Sequence, residues 1–363
     1  MVTTRHTARV IDPTDLTALR DYLTEQVSPI AHRLDSESDL LFEAFKNLGN
    51  CGLLAPKNPV GLGGLGLNTH SFQQFQSLMA RHSGALAFLQ TQHQSAASFL
   101  LTSQNEVLRQ TYLPAMATGK KCVGVGFSQL RREPAPLVAQ PVSGGYQLTG
   151  EIPWVSGGGL FDEFVGAAVL PTGEAVFGLL PLVSLTSQDG QITVSEPMAL
   201  FAMSATRTVS VQLQDWFLPK QQVVGVRPAG WIAKRDRANP LSPLGLIFGC
   251  TQAGLDSLQS SLDRRQIDGA IANSLTAQLD QLQAELPSTM ALPEAAYAQK
   301  IALRGRAISL MNTCAQAAII AASGAANVLG HPAQRIYKES LVFSVSGQTT
   351  AGAIASLTYL IPG

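Results

Sequence analysis

Two changes of hydrophobic period cut this chain into three lengths, and no other feature constrains the fold as tightly. From about residue 13 to 119 apolar residues recur at helical spacing: Leu16, Leu19, Tyr22 and Leu23; Leu40, Leu41, Phe45 and Leu48; Phe72, Phe75, Leu78 and Met79; then Leu86, Phe88, Leu89, Phe99, Leu100 and Leu101. At Lys121 the pattern becomes the small–apolar alternation Cys122-Val123-Gly124-Val125-Gly126-Phe127-Ser128, and strand-like segments punctuated by Gly and Pro continue to about Val226. Past Pro243 the helical period returns over residues 246–262, 275–286, 294–329 and 336–359, with turns read at Leu286-Pro287-Ser288 and Gly330-His331-Pro332. The pattern predicts an α+β multi-domain protein. It has an N-terminal all-α domain (residues 1–118), a central β-barrel-like domain (119–228) and a C-terminal antiparallel four-helix bundle (229–363).

Composition narrows the function classes. Lys+Arg and Asp+Glu are equal at 25 each, so the chain lacks the basic excess that phosphate backbones require, and nucleic acid is not an expected partner. Charged residues make up 14%, against about 25% in typical soluble domains, which points to surface covered by other subunits. Cys51, Cys122, Cys250 and Cys314 lie far apart with no CxxC spacing, so reduced, buried thiols are expected rather than a metal site or disulfides. No apolar stretch follows Met1-Val2-Thr3-Thr4-Arg5-His6, and the apolar run 315–329 is interrupted and short for a membrane span. A soluble, cytoplasmic protein with no membrane span is the expectation.

Three stretches carry candidate chemistry. Gly61-Leu62-Gly63-Gly64-Leu65-Gly66 matches a dinucleotide-binding fingerprint by letter, but Ala55-Pro56-Lys57-Asn58-Pro59 before it cannot be a central strand, so a helix–helix loop is expected. In Ser143-Gly144-Gly145-Tyr146-Gln147-Leu148-Thr149-Gly150-Glu151-Ile152-Pro153-Trp154-Val155-Ser156-Gly157-Gly158-Gly159 two strands are read, joined at a bend at Gly150. The ring of Trp154, the hydroxyl of Ser156 and three successive glycines form a surface suited to a planar heterocycle, or else a glycine-rich turn over a buried Trp. Phe201 to Leu213, leading into Asp215-Trp216-Phe217-Leu218-Pro219, reads as one long alternating strand. His93 either points into a pocket as a catalytic group or is held by backbone.

The order of the three parts, with these local sequences, resembles the acyl-CoA dehydrogenase family of FAD-dependent flavoproteins, over nearly the whole chain. Gly150-Glu151-Ile152-Pro153-Trp154-Val155-Ser156-Gly157-Gly158 is similar to that family's G-x-K-x-W-I-T/S-N-G, which lies against the flavin, and Phe127-Ser128 to its V-T. Arg264-Arg265-Gln266-Ile267-Asp268 is similar to its R-x-Q-F-G, which reaches FAD across a subunit boundary, with Asp268 where the family has glycine. Arg335-Ile336-Tyr337-Lys338-Glu339-Ser340 followed by Gly347-Gln348-Thr349 resembles its Y-R-D-A…E-G-T. The resemblance implies FAD, or reduced FMN or FAD as a co-substrate, held by Phe127, Ser128, Trp154, Val155, Ser156, Arg264, Gln348 and Thr349. It also implies a small-molecule substrate such as an acyl-CoA, an electron-transfer or flavin-reductase partner, and a homotetramer or homodimer.

Two departures bear on mechanism. The family's catalytic carboxylate before Gly-Thr is here Ser346, which is no base near neutral pH. The acidic alternatives Glu151, Asp263, Asp268 and Glu339 read as surface or ion-paired residues. After Ser128 the family's E-P-x-A-G-S-D is replaced by Gln129-Leu130-Arg131-Arg132-Glu133-Pro134-Ala135-Pro136, where Arg131 and Arg132 either meet a phosphate or form a solvated turn. Three readings follow: a dehydrogenase or oxidase with an unrecognised base, a flavin monooxygenase, or a flavin- or ligand-binding scaffold without catalysis.

Overall fold

The computed structural model describes residues 16–360, so the readings at Met1 to His6 and at Pro13 lie outside it. Short helical turns open the described chain, α1 (Thr17–Tyr22) and α2 (Ala31–Leu34). Four longer helices follow: α3 (Ser38–Asn50), α4 (Thr69–His82), α5 (Gly84–Leu101) and α6 (Glu106–Ala117). On α3, Leu41, Ala44, Phe45 and Leu48 fall on one face and are all buried, the stripe that drives a helix onto a core. Starts are set by capping side chains. Asn68 accepts from Ser71 N–H, Ser83 from Leu86 N–H and Asn105 from Leu108 N–H.

Gly61 to Gly66 lies in the loop between α3 and α4, as its prolines predict. Gly64 is packed so tightly there that a Cβ would come within 2.1 Å of the Asn58 carbonyl oxygen. The loop is folded on itself, which leaves its glycines explained without a nucleotide.

The central part is a nine-stranded mixed sheet. Its strands are β1 (Val123–Gly126), β2 (Leu137–Val142), β3 (Gly145–Val155), β4 (Glu163–Val169), β5 (Ala175–Pro181), β6 (Leu185–Ser187), β7 (Gly190–Val194), β8 (Val209–Pro219) and β9 (Val223–Arg227). The barrel-like centre takes the form of two antiparallel groups, β6-β7-β8-β3-β2 and β4-β5-β9, joined through the single pair Val138↔Val169, with β1 parallel to β4. Two strand readings are corrected. The stretch through Gly150 is one strand, β3, whose Gly150 (φ 131°) accommodates a bulge and the close approach of the Pro136 carbonyl oxygen. Phe201 to Thr208 is not strand: a 3-10 turn at Ser204–Thr206, flanked by left-handed Met203 and Arg207, precedes β8.

The C-terminal helices are α7 (Trp231–Ala238), α8 (Leu244–Arg265), α9 (Ala270–Ala291), α10 (Tyr297–Ala322), α11 (Pro332–Val345) and α12 (Thr350–Thr358). The turn read at Pro287 is absent. Pro287 sits inside α9, and the chain turns at Leu292 and Pro293 instead. The fourth bundle helix is broken in two at residues 346–349, where Gly347 (φ 60°) stops α11 and Thr349 caps α12 by accepting from Gly352 N–H. The short apolar run 315–329 belongs to a longer helical span, Glu294–Asn327, which is long and apolar enough to cross a membrane by length and composition alone.

Glycines weld α8 to the N-terminal helices. A Cβ at Gly245 would meet the Gln73 carbonyl oxygen at 2.7 Å, and one at Gly249 the Ser77 carbonyl oxygen at 2.2 Å. The start of α8 is thereby fixed against α4, and the cleft described next lies there. Of the cysteines, Cys122, Cys250 and Cys314 are buried thiols, whereas Cys51 is exposed, contrary to expectation.

Candidate functional site

Pro240 and Pro243 end α7 and open α8, so that α7 crosses beside the 3-10 turn Ser128–Arg131 that follows β1. Arg235 on α7 lies 5.4 Å from the Phe127 ring centre and 5.7 Å from that of Trp231, its charge resting on an aromatic cluster completed by Phe99 and Phe177. Next to it Asp236 is held bidentately by Arg131, at 2.7 and 2.8 Å. From α10 comes Arg304, 3% exposed, donating to the carbonyls of Ser346 (3.1 Å) and Gly347 (3.2 Å) and leaving Nε without a partner. These residues, with Asn239, Ser242, Tyr297 and Thr349, line a cavity of about 50 Å³. Burial pushes the Arg304 and Arg235 guanidinia below the ordinary arginine range, and Arg131 pushes both the same way while Asp236 opposes.

The expected flavin residues fall into two settings. At β1 and β3 the chain segments do come together: a Cβ at Gly126 would meet Val155 at 2.8 Å, so Phe127-Ser128 and Trp154-Val155-Ser156 share one end of the sheet. Trp154 is 47% exposed, while Ile152, Pro153, Val155 and Ser156 around it are buried, and Ser128 is exposed too. Beyond them Gly157 (φ 101°) and Gly158 hold the chain where a Cβ would strike Phe161 or Val209 at 2.6 Å. The result is an aromatic face beside a buried glycine turn, whose Gly157 and Gly158 N–H groups donate to the Thr206 and Arg207 carbonyl oxygens.

Other residues in the set are engaged elsewhere. Val155 is wholly buried, Phe127 is one wall of the aromatic cluster, and the Ser156 hydroxyl pairs with Thr208 Oγ1 at 2.9 Å. Gln348 Nε2 donates to the Ser344 carbonyl oxygen, and Thr349 Oγ1 is the cap of α12. Arg264, exposed, closes α8 at the end opposite the cleft, and a 22-residue helix is about 33 Å long. Arg264 therefore stands about a helix length from that cleft.

The two catalytic candidates are also located. His93 does not face a pocket. It is fully buried, receives the Val123 N–H on Nδ1 at 3.2 Å and donates Nε2–H to the Met116 carbonyl oxygen at 3.1 Å, and burial holds its pKa down at about 4. Its role is to tie α5 to β1 and α6. Ser346 Oγ bonds back to the Val342 carbonyl oxygen at the end of α11, and among the described residues no titratable side chain is hydrogen-bonded to that hydroxyl. Of the acidic alternatives, Glu339 is buried and paired with Arg335, Glu151 is exposed, and Asp263 and Asp268 accept local bonds from Gln259 and Ala270.

Sequence reading overlooked Arg235, Asp236 and Arg304. A signal existed for the last: Arg304 stands three residues after Ile301 and four before Ile308, a charge set into the apolar face of a helix.

Residues 16–120 match the family model described as acyl-CoA dehydrogenase, N-terminal domain. A probable acyl-CoA dehydrogenase of Bacillus subtilis is 21% identical over 264 residues, which cover 70% of this chain and 69% of that one. Among solved structures, butyryl-CoA dehydrogenase from Megasphaera elsdenii superposes with a TM-score of 0.77 at 13% identity, covering 98% of this chain and 99% of its own. KijD3, solved with FMN and a dTDP-linked amino-keto sugar, superposes with a TM-score of 0.76 at 19% identity over 97% of this chain and 93% of its own.

Proposed function

From a chain that has the acyl-CoA dehydrogenase family fold, we propose a flavin-dependent oxidoreductase acting on a C–H bond of an acyl or similar small molecule, with FAD as the cofactor. The observation that carries this reading is the exposed Trp154 at an otherwise buried strand end, flanked by Ser128 and by glycine backbone that side chains could not share. A flat ring system laid there meets an aromatic face for stacking and the exposed Ser128 hydroxyl at its edge. Trp154 and Ser128 would hold the flavin directly, with Val155 and Ser156 fixing the strand beneath. A bound flavin supplies the hydride acceptor.

One observation favours a second reading. Among the described residues lining the cleft the only carboxylate is Asp236, and both its oxygens are engaged by Arg131. No free carboxylate stands at Ser346 to take an α-proton. A monooxygenase using reduced flavin and oxygen needs no such base, and KijD3 shows the fold holding FMN beside a non-thioester ligand.

A homo-oligomer completes the proposal. Ile320, Leu341, Ile354 and Leu357 on the last helices and Leu329 in the turn before α11 are each more than 45% exposed, an apolar surface of the kind subunits cover, and Arg264 is exposed at the end of α8 with one bond, to the Ser261 hydroxyl. The test is to purify the protein, record its visible spectrum, titrate oxidised and reduced FAD and FMN, and mix the flavin-loaded form anaerobically with a panel of acyl-CoA thioesters. Bleaching by a thioester supports the dehydrogenase reading. Binding of reduced flavin with no bleaching shifts weight to the monooxygenase, and no flavin binding in either state rejects both.

A further inference from the structure

The cleft between α7, α8, α10 and the 346–349 turn has a charge pattern that the flavin platform does not use. Three guanidinium groups line it, Arg131, Arg235 and Arg304, against one carboxylate, Asp236. Arg131 engages both oxygens of that carboxylate through Nε and Nη2. Arg235 makes no side-chain hydrogen bond or ion pair among the described residues and rests only on aromatic faces. Arg304 is buried to 3% exposure with Nε unpartnered, and an unmatched donor on a buried cation is a cost that folds do not keep without a reason. Lys57, half-buried, adds to the same field, since Arg235 lies near enough to push its pKa down beyond the larger effect of burial.

The neutral lining also donates. Thr349 Oγ1 accepts from Gly352 N–H and so keeps its own proton free, while Ser242 and Tyr297 hydroxyls have no side-chain partner among the described residues. The carbonyls of Ser346 and Gly347, which would repel an anion, are bound by Arg304. The space, about 50 Å³, takes several waters or one oxyanion head.

We propose that this cleft binds the oxyanion of a small-molecule substrate, a carboxylate or a phosphate group, with Arg235 and Arg304 as its principal cationic partners. That the ligand is a substrate rests on the oxidoreductase reading above; the anion site itself does not. Both groups present paired oxygens that a guanidinium fork matches, and the restricted volume admits the head group while the rest of the molecule extends outward.

Titration calorimetry at fixed ionic strength, with inorganic phosphate and with succinate as probes and sodium chloride as control, tests the proposal on the whole chain. Saturable binding of at least one probe is expected. Arg235→Gln and Arg304→Met should each weaken it at least tenfold, while Arg33→Gln, which removes an exposed guanidinium paired with Glu37 elsewhere, leaves it unchanged. A preference for one probe identifies the head group. Should Arg304→Met not fold, Arg235→Gln carries the test, because its guanidinium holds no hydrogen bond to lose. Absence of saturable binding by the wild type, or wild-type affinity in Arg235→Gln, overturns the proposal. Flavin titration of the same samples separates the two readings: anion binding without flavin binding rejects the oxidoreductase and keeps the site, and the reverse rejects the site alone.

Discussion

His93 and Arg304 are both long polar side chains buried in helices, and they are buried in opposite ways. His93 gives and receives one backbone hydrogen bond from each ring nitrogen, packs edge-on to Phe45 with ring centres 5.4 Å apart, and is kept neutral by its surroundings. Arg304 stays a cation, spends two nitrogens on carbonyls and leaves the third unmatched beside two further guanidinia. The first is a closed account of donors and acceptors; the second is open by one donor and by net positive charge. A buried polar group that is fully matched speaks of structure, and one left unmatched at a cavity speaks of a ligand.

The largest effect should come from breaking the closed side. His93→Ala removes an imidazole packed against Phe45 and Phe161 and strands the Val123 N–H and the Met116 carbonyl. A loss of about 3–5 kcal/mol is expected, read from the midpoint of urea unfolding. A loss under about 1 kcal/mol would deny His93 its structural role and reopen it as a functional group.

Acid probes the same residue next. Its folded pKa is depressed from 6.5 to about 4, so between those values the unfolded chain takes up a proton that the native chain refuses. Stability contributed by neutral His93 is whole above pH 6.5 and drains away as pH falls toward 4, amounting to about 3 kcal/mol across the window. Unfolding measured from pH 7 to pH 4 should show a steeper decline for the wild type than for His93→Gln. Parallel curves would mean that the imidazole is not held neutral.

The contrast between these residues also shows what sequence could and could not reveal. The period changes near Lys121 and Pro243 exposed the three-part architecture because packing an amphipathic face leaves a repeating trace. Gly61 to Gly66 was legible as a loop for the same local reason, two prolines ahead of it. The break at 346–349 was missed although Gly347 marked it, since a single glycine in a long apolar run does not say whether the chain turns. Trp154 and Ser128 were found by motif, and the structure adds that they are the exposed residues of the β1 and β3 segments, where Phe127, Val155 and Ser156 are buried. Arg235 and Asp236 left no trace. Their meaning comes from Arg131, more than a hundred residues away, and such convergence is written only in three dimensions.

On the open side the expected cost to folding is smaller. Arg304→Met replaces a partly matched buried cation with an apolar side chain of similar length; three weak carbonyl contacts are lost and a desolvation penalty is relieved. Stability within about 1 kcal/mol of wild type is the expectation, measured by the same urea titration. A loss above about 3 kcal/mol would place Arg304 with His93 as a strut, and the distinction between matched and unmatched burial would fail here.

The smallest folding effect belongs to Trp154, and it sharpens the comparison by adding a surface residue to two buried ones. At 47% exposure its ring contributes little to the core, and its strand is anchored by Ile152 and Val155, both fully buried. Trp154→Ala should therefore alter stability by no more than about 0.5 kcal/mol. Flavin affinity should nonetheless fall about tenfold or more, because stacking of a planar heterocycle on an aromatic side chain is worth about 1–3 kcal/mol. Fluorescence titration with FAD and with FMN, alongside thermal unfolding of the apo form, reads both quantities. Unchanged flavin affinity would move the cofactor away from β3, and a large loss of stability would mean that the exposed ring supports its strand, leaving the unmatched cations of the cleft as the clearer mark of function in this molecule.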